Sequence, residues 1–174
     1  MAHEQQRNET DPPDPKVGNR PFPGFLAAWQ EANGPELTPL DHLGRGGGIE
    51  FVLAAQWLFC PNFIEHRGGV FRSELPAESS GSRRRNIDTW FSGREDRVDL
   101  VEFHANTTTL WDVFTNDDTT GYEEDLSQLA CTIAECWRAL LARQFPERQF
   151  AVEVRDDENS YGPQITFYSR SGAS

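Results

Sequence analysis

The chain is short of cysteine, of lysine, of positive charge and of long apolar runs, and each shortage closes off a class of protein. Cys60, Cys131 and Cys136 are its only 3 cysteines, and no CxxC occurs. A disulfide framework of the secreted kind needs an even and larger set, so reduced thiols in a cytoplasmic protein are the expectation. Lys16 is the single lysine, and 16 basic residues stand against 28 acidic ones, giving a net charge of -12. Nucleic acid and anionic bilayers are held by basic surface that displaces counterions, so neither fits as a partner. The longest apolar run, Phe51 to Ala55, resumes after Gln56 as Trp57 to Cys60. It falls well short of the roughly 20 residues that span a bilayer. Residues 1–20 are polar and proline-rich and carry no apolar stretch of the kind a secretory signal contains.

What is present is aromatic and acidic. With 12 Phe and 5 Trp the chain has the side-chain area to bury a core despite a mean hydropathy of -0.64. Phe22, Phe25, Leu26 and Trp29 recur at helical spacing after Pro23 and before Gly34-Pro35, which predicts a first helix over 23–33. Residues 37–48 read as a loop. Residues 49–59 read as a helix that is apolar around most of its girth, hence a central, well-buried element. Two β-compatible runs about Gly68-Gly69, residues 63–67 and 70–72, read as a hairpin.

Residues 76–85 contain Ser79-Ser80-Gly81-Ser82 followed by Arg83-Arg84-Arg85 and read as the main internal loop. Ile87, Trp90 and Phe91 make a short helical face, 94–106 leans to helix, and the Thr, Trp, Val and Phe of 107–114 favour a strand. The clearest element spans 125–145, where Leu126, Leu129, Ala130, Ile133, Trp137, Leu140 and Leu141 form one apolar stripe that Pro146 ends. Cys131 and Cys136 flank that stripe and read as packing residues. Residues 149–155 and 164–168 alternate apolar and polar about a turn-rich loop and predict a second hairpin.

Mixed helices and hairpins without regular βαβ alternation predict one α+β domain, an antiparallel sheet packed by amphipathic helices. Its bounds are residues 22–170, between a disordered proline-rich tail of residues 1–21 and a short tail of residues 171–174.

No familiar catalytic signature appears. GxSxG, HExxH, GxxxxGK[ST] and a GxGxxG in βαβ context are all missing. Gly44-Arg45-Gly46-Gly47-Gly48 resembles an anion cradle only in its glycines and reads as a connector. Asn116, Asp118, Thr120, Gly121 and Glu124 follow calcium-loop spacing, but Ser127 stands where a bidentate Glu is required. Asp41 beside His42 reads as a solvated loop pair. Arg83-Arg84-Arg85 is too short a basic run to hold nucleic acid.

Two functional readings follow. In the first, Asp112, Asp117, Asp118, Glu123, Glu124 and Asp125 form one acidic stretch and Glu153, Asp156, Asp157 and Glu158 another. Gathered on one side, they attract a basic protein partner, with Trp111 or Tyr161 as aromatic anchors. This makes the chain a non-catalytic, cofactor-free binding module, immunity- or inhibitor-like. In the second, His66 and His104, with Glu102 and Asp112 and with Cys60 as a soft third ligand, form a small metal-dependent hydrolase. That reading requires the two imidazoles to share a cleft. A third role, subunit of a larger assembly, has a wide exposed apolar patch as its signature.

Overall fold

A computed structural model describes residues 23–46, 48–73, 81–94, 97–115, 117–157 and 160–170. The expected tails, residues 1–21 and 171–174, lie outside them, as do Glu158 and Asn116. Among the described residues the chain forms an α+β arrangement of helices and two small antiparallel sheets.

Helix α1 (Gly24–Asn33) follows Pro23, whose fixed φ suits a helix entry, and stops at Gly34 with φ 140°. The segment expected to be a loop contains helix α2 (Pro39–Gly46). Its start is a reciprocal cap. The Asp41 carboxylate accepts from the Thr38 backbone N–H at 2.8 Å and from the Thr38 hydroxyl at 2.7 Å, while Asp41 N donates to Thr38 Oγ1 at 3.3 Å. Pro39 occupies the first helical position, where a missing N–H costs nothing.

Helix α3 (Ile49–Phe59) corrects the expectation of a buried central element. None of its residues is buried, and Ile49 through Gln56 are all exposed. Only its end is held, where Leu58 and Phe59 pack on the core and Trp137 Nε1 donates to Leu58 O at 2.8 Å.

Strands β1 (Asn62–His66) and β2 (Gly69–Ser73) form the first hairpin, with His66 opposite Gly69. Its turn residues are Arg67 and Gly68, both at positive φ (49° and 82°), the conformation that matches strand twist in a two-residue turn. Helix α4 (Gly81–Phe91) takes up the described part of the expected serine–arginine loop. Arg83 anchors its first turn by donating to Arg72 O at 3.0 Å and to Ala105 O at 2.5 Å. Helix α5 (Val98–Asn106) follows.

The strand expected over 107–114 is reduced to β3 (Thr108–Thr109). The chain then turns into the short helix α6 (Leu110–Val113). Leu110 N donates to Pro163 O at 2.9 Å, and this is where the extended course ends.

Helix α7 (Glu123–Gln144) carries Glu123, Glu124 and Asp125 in its first turn and Arg143 in its last, both favourable to the helix dipole. It buries Leu126, Ala130, Ile133, Trp137 and Leu141, as its periodicity requires. Strands β4 (Phe150–Arg155) and β5 (Gln164–Ser169) form the second hairpin, and β3 joins the other edge of β5 in the order β3-β5-β4.

The larger core lies under α7, where Trp137 meets Phe167 edge to face at 5.9 Å. A second cluster, built from Ile64, Phe71, Ile87, Phe91, Val101 and Ala105, fills the space among β1, β2, α4 and α5. The expected single sheet is thus two sheets. They are joined through α5, whose buried Glu102 and Asn106 hydrogen-bond to both β2 and β5.

Candidate partner-binding cleft

An open cleft of about 1260 Å³ runs along the N-terminal half of α7. Its apolar floor comes from distant parts of the sequence: Phe25 and Leu26 of α1, Phe59 at the end of α3, Phe114 after α6, and Leu126 and Leu129 of α7. Its rim carries Asp117, Asp118, Glu124, Asp125 and Glu135, and among the described residues no Arg, Lys or His lines it. Gly24 N donates to Asp125 Oδ1 at 3.0 Å and so ties α1 to α7. Tyr122 stands 6.0 Å from Phe25, ring to ring, and the imidazole of His42 lies edge-on between Phe25 (5.4 Å) and Trp29 (4.9 Å). The Nδ1 of His42 is buried without a hydrogen-bond partner.

Of the acids singled out in the sequence, Asp117, Asp118, Glu124 and Asp125 line this cleft. The backbone N–H of Thr120 donates to Asp118 at 3.0 Å, and the Thr120 hydrogen bonds hold the Asp118 carboxyl below its ordinary range, so it keeps its charge. Glu123 is exposed in the same helical turn, and Glu124 accepts from Gln128 Nε2 at 3.4 Å.

The second acidic stretch reaches the cleft through one contact. Ser127, a lining residue, shares its one hydroxyl proton between Asp156 and Glu123 O. Asp157 is exposed beside Asp156 and accepts from Ser160 N through its carbonyl at 2.9 Å, while Glu158 lies outside the described residues. Asp112 and Tyr161 are exposed but do not line the cleft. Tyr161 sits edge-on against Trp111 at 5.2 Å. Trp111 itself is half-buried on the larger core with Gly162 beneath its ring, which makes it a packing residue.

The residues of the hydrolase reading are occupied separately. His66 Nε2 is 2.7 Å from Asp88 Oδ1 on α4. His104 stacks on Trp90 with ring centroids 5.7 Å apart and lines a shallow hollow with Phe103, Glu153, Arg155 and Tyr168, which His66 does not join. In that hollow Tyr168 donates to Glu153 at 2.5 Å, and this bond raises the phenol's pKa.

Glu102 is fully buried as an acceptor for Val70 N, Ser169 N and the Ser169 hydroxyl. Burial raises its pKa, and the hydrogen bonds oppose that only in part. Asp112 is on α6, and Cys60 is an exposed free thiol. Among the described residues no three His, Cys, Asp or Glu side chains gather in a way that would hold a metal ion.

The floor of the cleft was not visible in the sequence, because Phe25, Phe59, Phe114 and Leu126 share no local pattern. Compared with known protein families, curated proteins and solved structures, the chain matches none. No helix of the described residues is long and apolar enough to cross a membrane.

Proposed function

We propose that this chain is a protein-binding module, immunity- or inhibitor-like, whose α7 cleft takes an apolar-faced, positively charged segment of a partner protein. The supporting observation is an apolar floor under a rim of five carboxylates, with no base lining it among the described residues. An apolar floor supplies the desolvated contacts that dominate affinity, and a rim of one sign supplies steering and selects against acidic competitors. The first-turn acids Glu124 and Asp125 also serve the α7 dipole, whereas Asp117 and Asp118 stand outside any helix and owe nothing to it. Asp156, held at Ser127, extends the same negative field along the cleft edge.

Three synthetic helical peptides test the reading by calorimetry: one amphipathic with Lys and Leu faces, one with Glu replacing Lys, and one basic but wholly polar. The Lys/Leu peptide should bind best, with an affinity that falls as salt rises and an on-rate lowered by Asp117→Asn with Asp118→Asn. Equal binding of the acidic and basic amphipaths would remove the role of the rim, and equal binding of the wholly polar peptide would remove the role of the floor.

A further inference from the structure

We propose that α3, with α2 that precedes it in the chain, is a self-association surface that pairs two copies of this chain. Exposure is high on successive residues: Ile49 74%, Phe51 76%, Val52 42% and Leu53 53%, with Leu40 at 77% and Leu43 at 44% on α2. Successive residues of a helix point about 100° apart, so this stretch is bare on all sides and not along one stripe.

These six residues, between 42% and 77% exposed, present on the order of several hundred Å² of apolar surface. That lies within the roughly 300–600 Å² range of the largest patch on a monomer, and any one side of the bare helix supplies only part of the ~800 Å² each partner gives to a standard interface, so the pairing is a weak, concentration-dependent one. The leader is a poor cover, since Met1, Ala2 and Val17 are the only Met, Ala, Val, Ile, Leu, Phe, Trp, Tyr or Cys residues in 1–20.

A second copy matches the chemistry of this face better than the cationic partner of the cleft does. Glu50 is the one charged residue of α3, so little there distinguishes a cation. A two-fold pairing sets the same helix, charged only at Glu50, against itself, with Ala54 and Ala55 permitting close approach of the two backbones. Each copy carries a net charge of -12. The pairing therefore works against long-range repulsion and tightens as salt screens it. This is the opposite sign to the salt response expected at the cleft.

Sedimentation of the full chain, across concentration and from low to high salt, reads the pairing directly. The expected result is a monomer–dimer equilibrium that shifts toward dimer with salt, and loss of the dimer in Phe51→Glu with Leu53→Glu. A second variant, Phe51→Ser with Leu53→Ser, removes apolar area without adding charge and should also be monomeric, with circular dichroism confirming that both fold. A wild-type chain that stays monomeric at high concentration and high salt overturns the proposal. So does a dimer that survives both double substitutions, or a monomer that instead binds uncharged phosphatidylcholine vesicles through this face.

Discussion

Glu102 and Asn106 stand one helical turn apart on α5 and together take the place of a β-ladder between β2 and β5. Glu102 accepts the Val70 N–H at 2.7 Å and the Ser169 N–H at 2.6 Å. Asn106 donates to Val70 O at 3.0 Å and Phe167 O at 3.2 Å, and accepts from Arg72 N at 2.9 Å. The two strands belong to different sheets, and the buried backbone groups of their facing edges need partners. A carboxylate with two acceptor oxygens and an amide with both polarities satisfy them from a single helix face. The helix and the two sheets are thereby one polar construction, and a carboxylate that looks catalytic in the sequence is committed to holding them.

Glu102→Gln should destabilise the fold by about 1–3 kcal/mol, because the new NH₂ faces backbone N–H donors and leaves at least one unsatisfied. Asn106→Leu orphans three backbone groups at once and should cost more. Urea denaturation followed by tryptophan fluorescence measures both, and midpoints unchanged from wild type would show that water substitutes for these bonds.

The same carboxylate sets a pH signature. Burial raises the Glu102 pKa above its ordinary 4.5. Below 4.5 it is protonated in both folded and unfolded chains and contributes no pH dependence. As pH rises from 4.5 toward the folded-state value, the unfolded chain gives up the proton first, so stability declines, and above that value the loss is constant. Asp99, lowered by its hydrogen bond from Arg97, and Asp118, lowered by Thr120, act in the opposite sense and lose their contribution as pH falls through 3.8 and below. The stability difference between wild type and Glu102→Gln should therefore shift against the wild type on raising pH through this window. A pH-independent difference would show that Glu102 does not titrate there.

The parts of the fold that were legible in the sequence are those whose pattern is local. Leu126, Ile133, Trp137 and Leu141 declare α7 because their spacing alone defines one face, and Val152 with Phe167 declare the second hairpin by alternation. Trp111 and Val113 have β propensity, yet Leu110 is turned by its bond to Pro163, fifty-odd residues away. Gly81 to Arg85 has linker composition, but the two carbonyls that anchor Arg83 are contributed by β2 and α5. For α3, an apolar girth signals that the helix needs cover without saying that this chain provides it. The acids of the cleft were readable as a stretch, while its floor is assembled from four separated segments and was not.

Gly162 has φ 73°, and a Cβ built there would come within 2.5 Å of the Trp111 ring. Gly162→Ala combines left-handed strain with a contact that only a shift of the indole relieves, so a loss of about 1–3 kcal/mol is expected, together with a changed near-ultraviolet dichroism from Trp111. Tyr161→Ala removes only the exposed half of the aromatic pair and should cost no more than about 1 kcal/mol. A Gly162→Ala protein as stable as wild type would mean that the corner repacks freely.

Helix α2 rests on its cap more than on its composition. Its residues, Pro39-Leu40-Asp41-His42-Leu43-Gly44-Arg45-Gly46, include two glycines that each disfavour helix by about 1 kcal/mol relative to alanine. Against this stand the three hydrogen bonds between Thr38 and Asp41 and the edge contacts of His42 with Phe25 and Trp29. Thr38→Ala removes the hydroxyl that serves as both donor and acceptor, and Asp41→Ala removes the reciprocal acceptor; each should cost about 0.5–2 kcal/mol. Because α2 is short, carries two glycines and starts at this cap, that cost falls on the local equilibrium before the global one. Amide hydrogen exchange over 39–46 should accelerate several-fold in either variant while exchange in α7 stays near its wild-type rate. Equal acceleration in both helices would mean that α2 unfolds only with the whole domain.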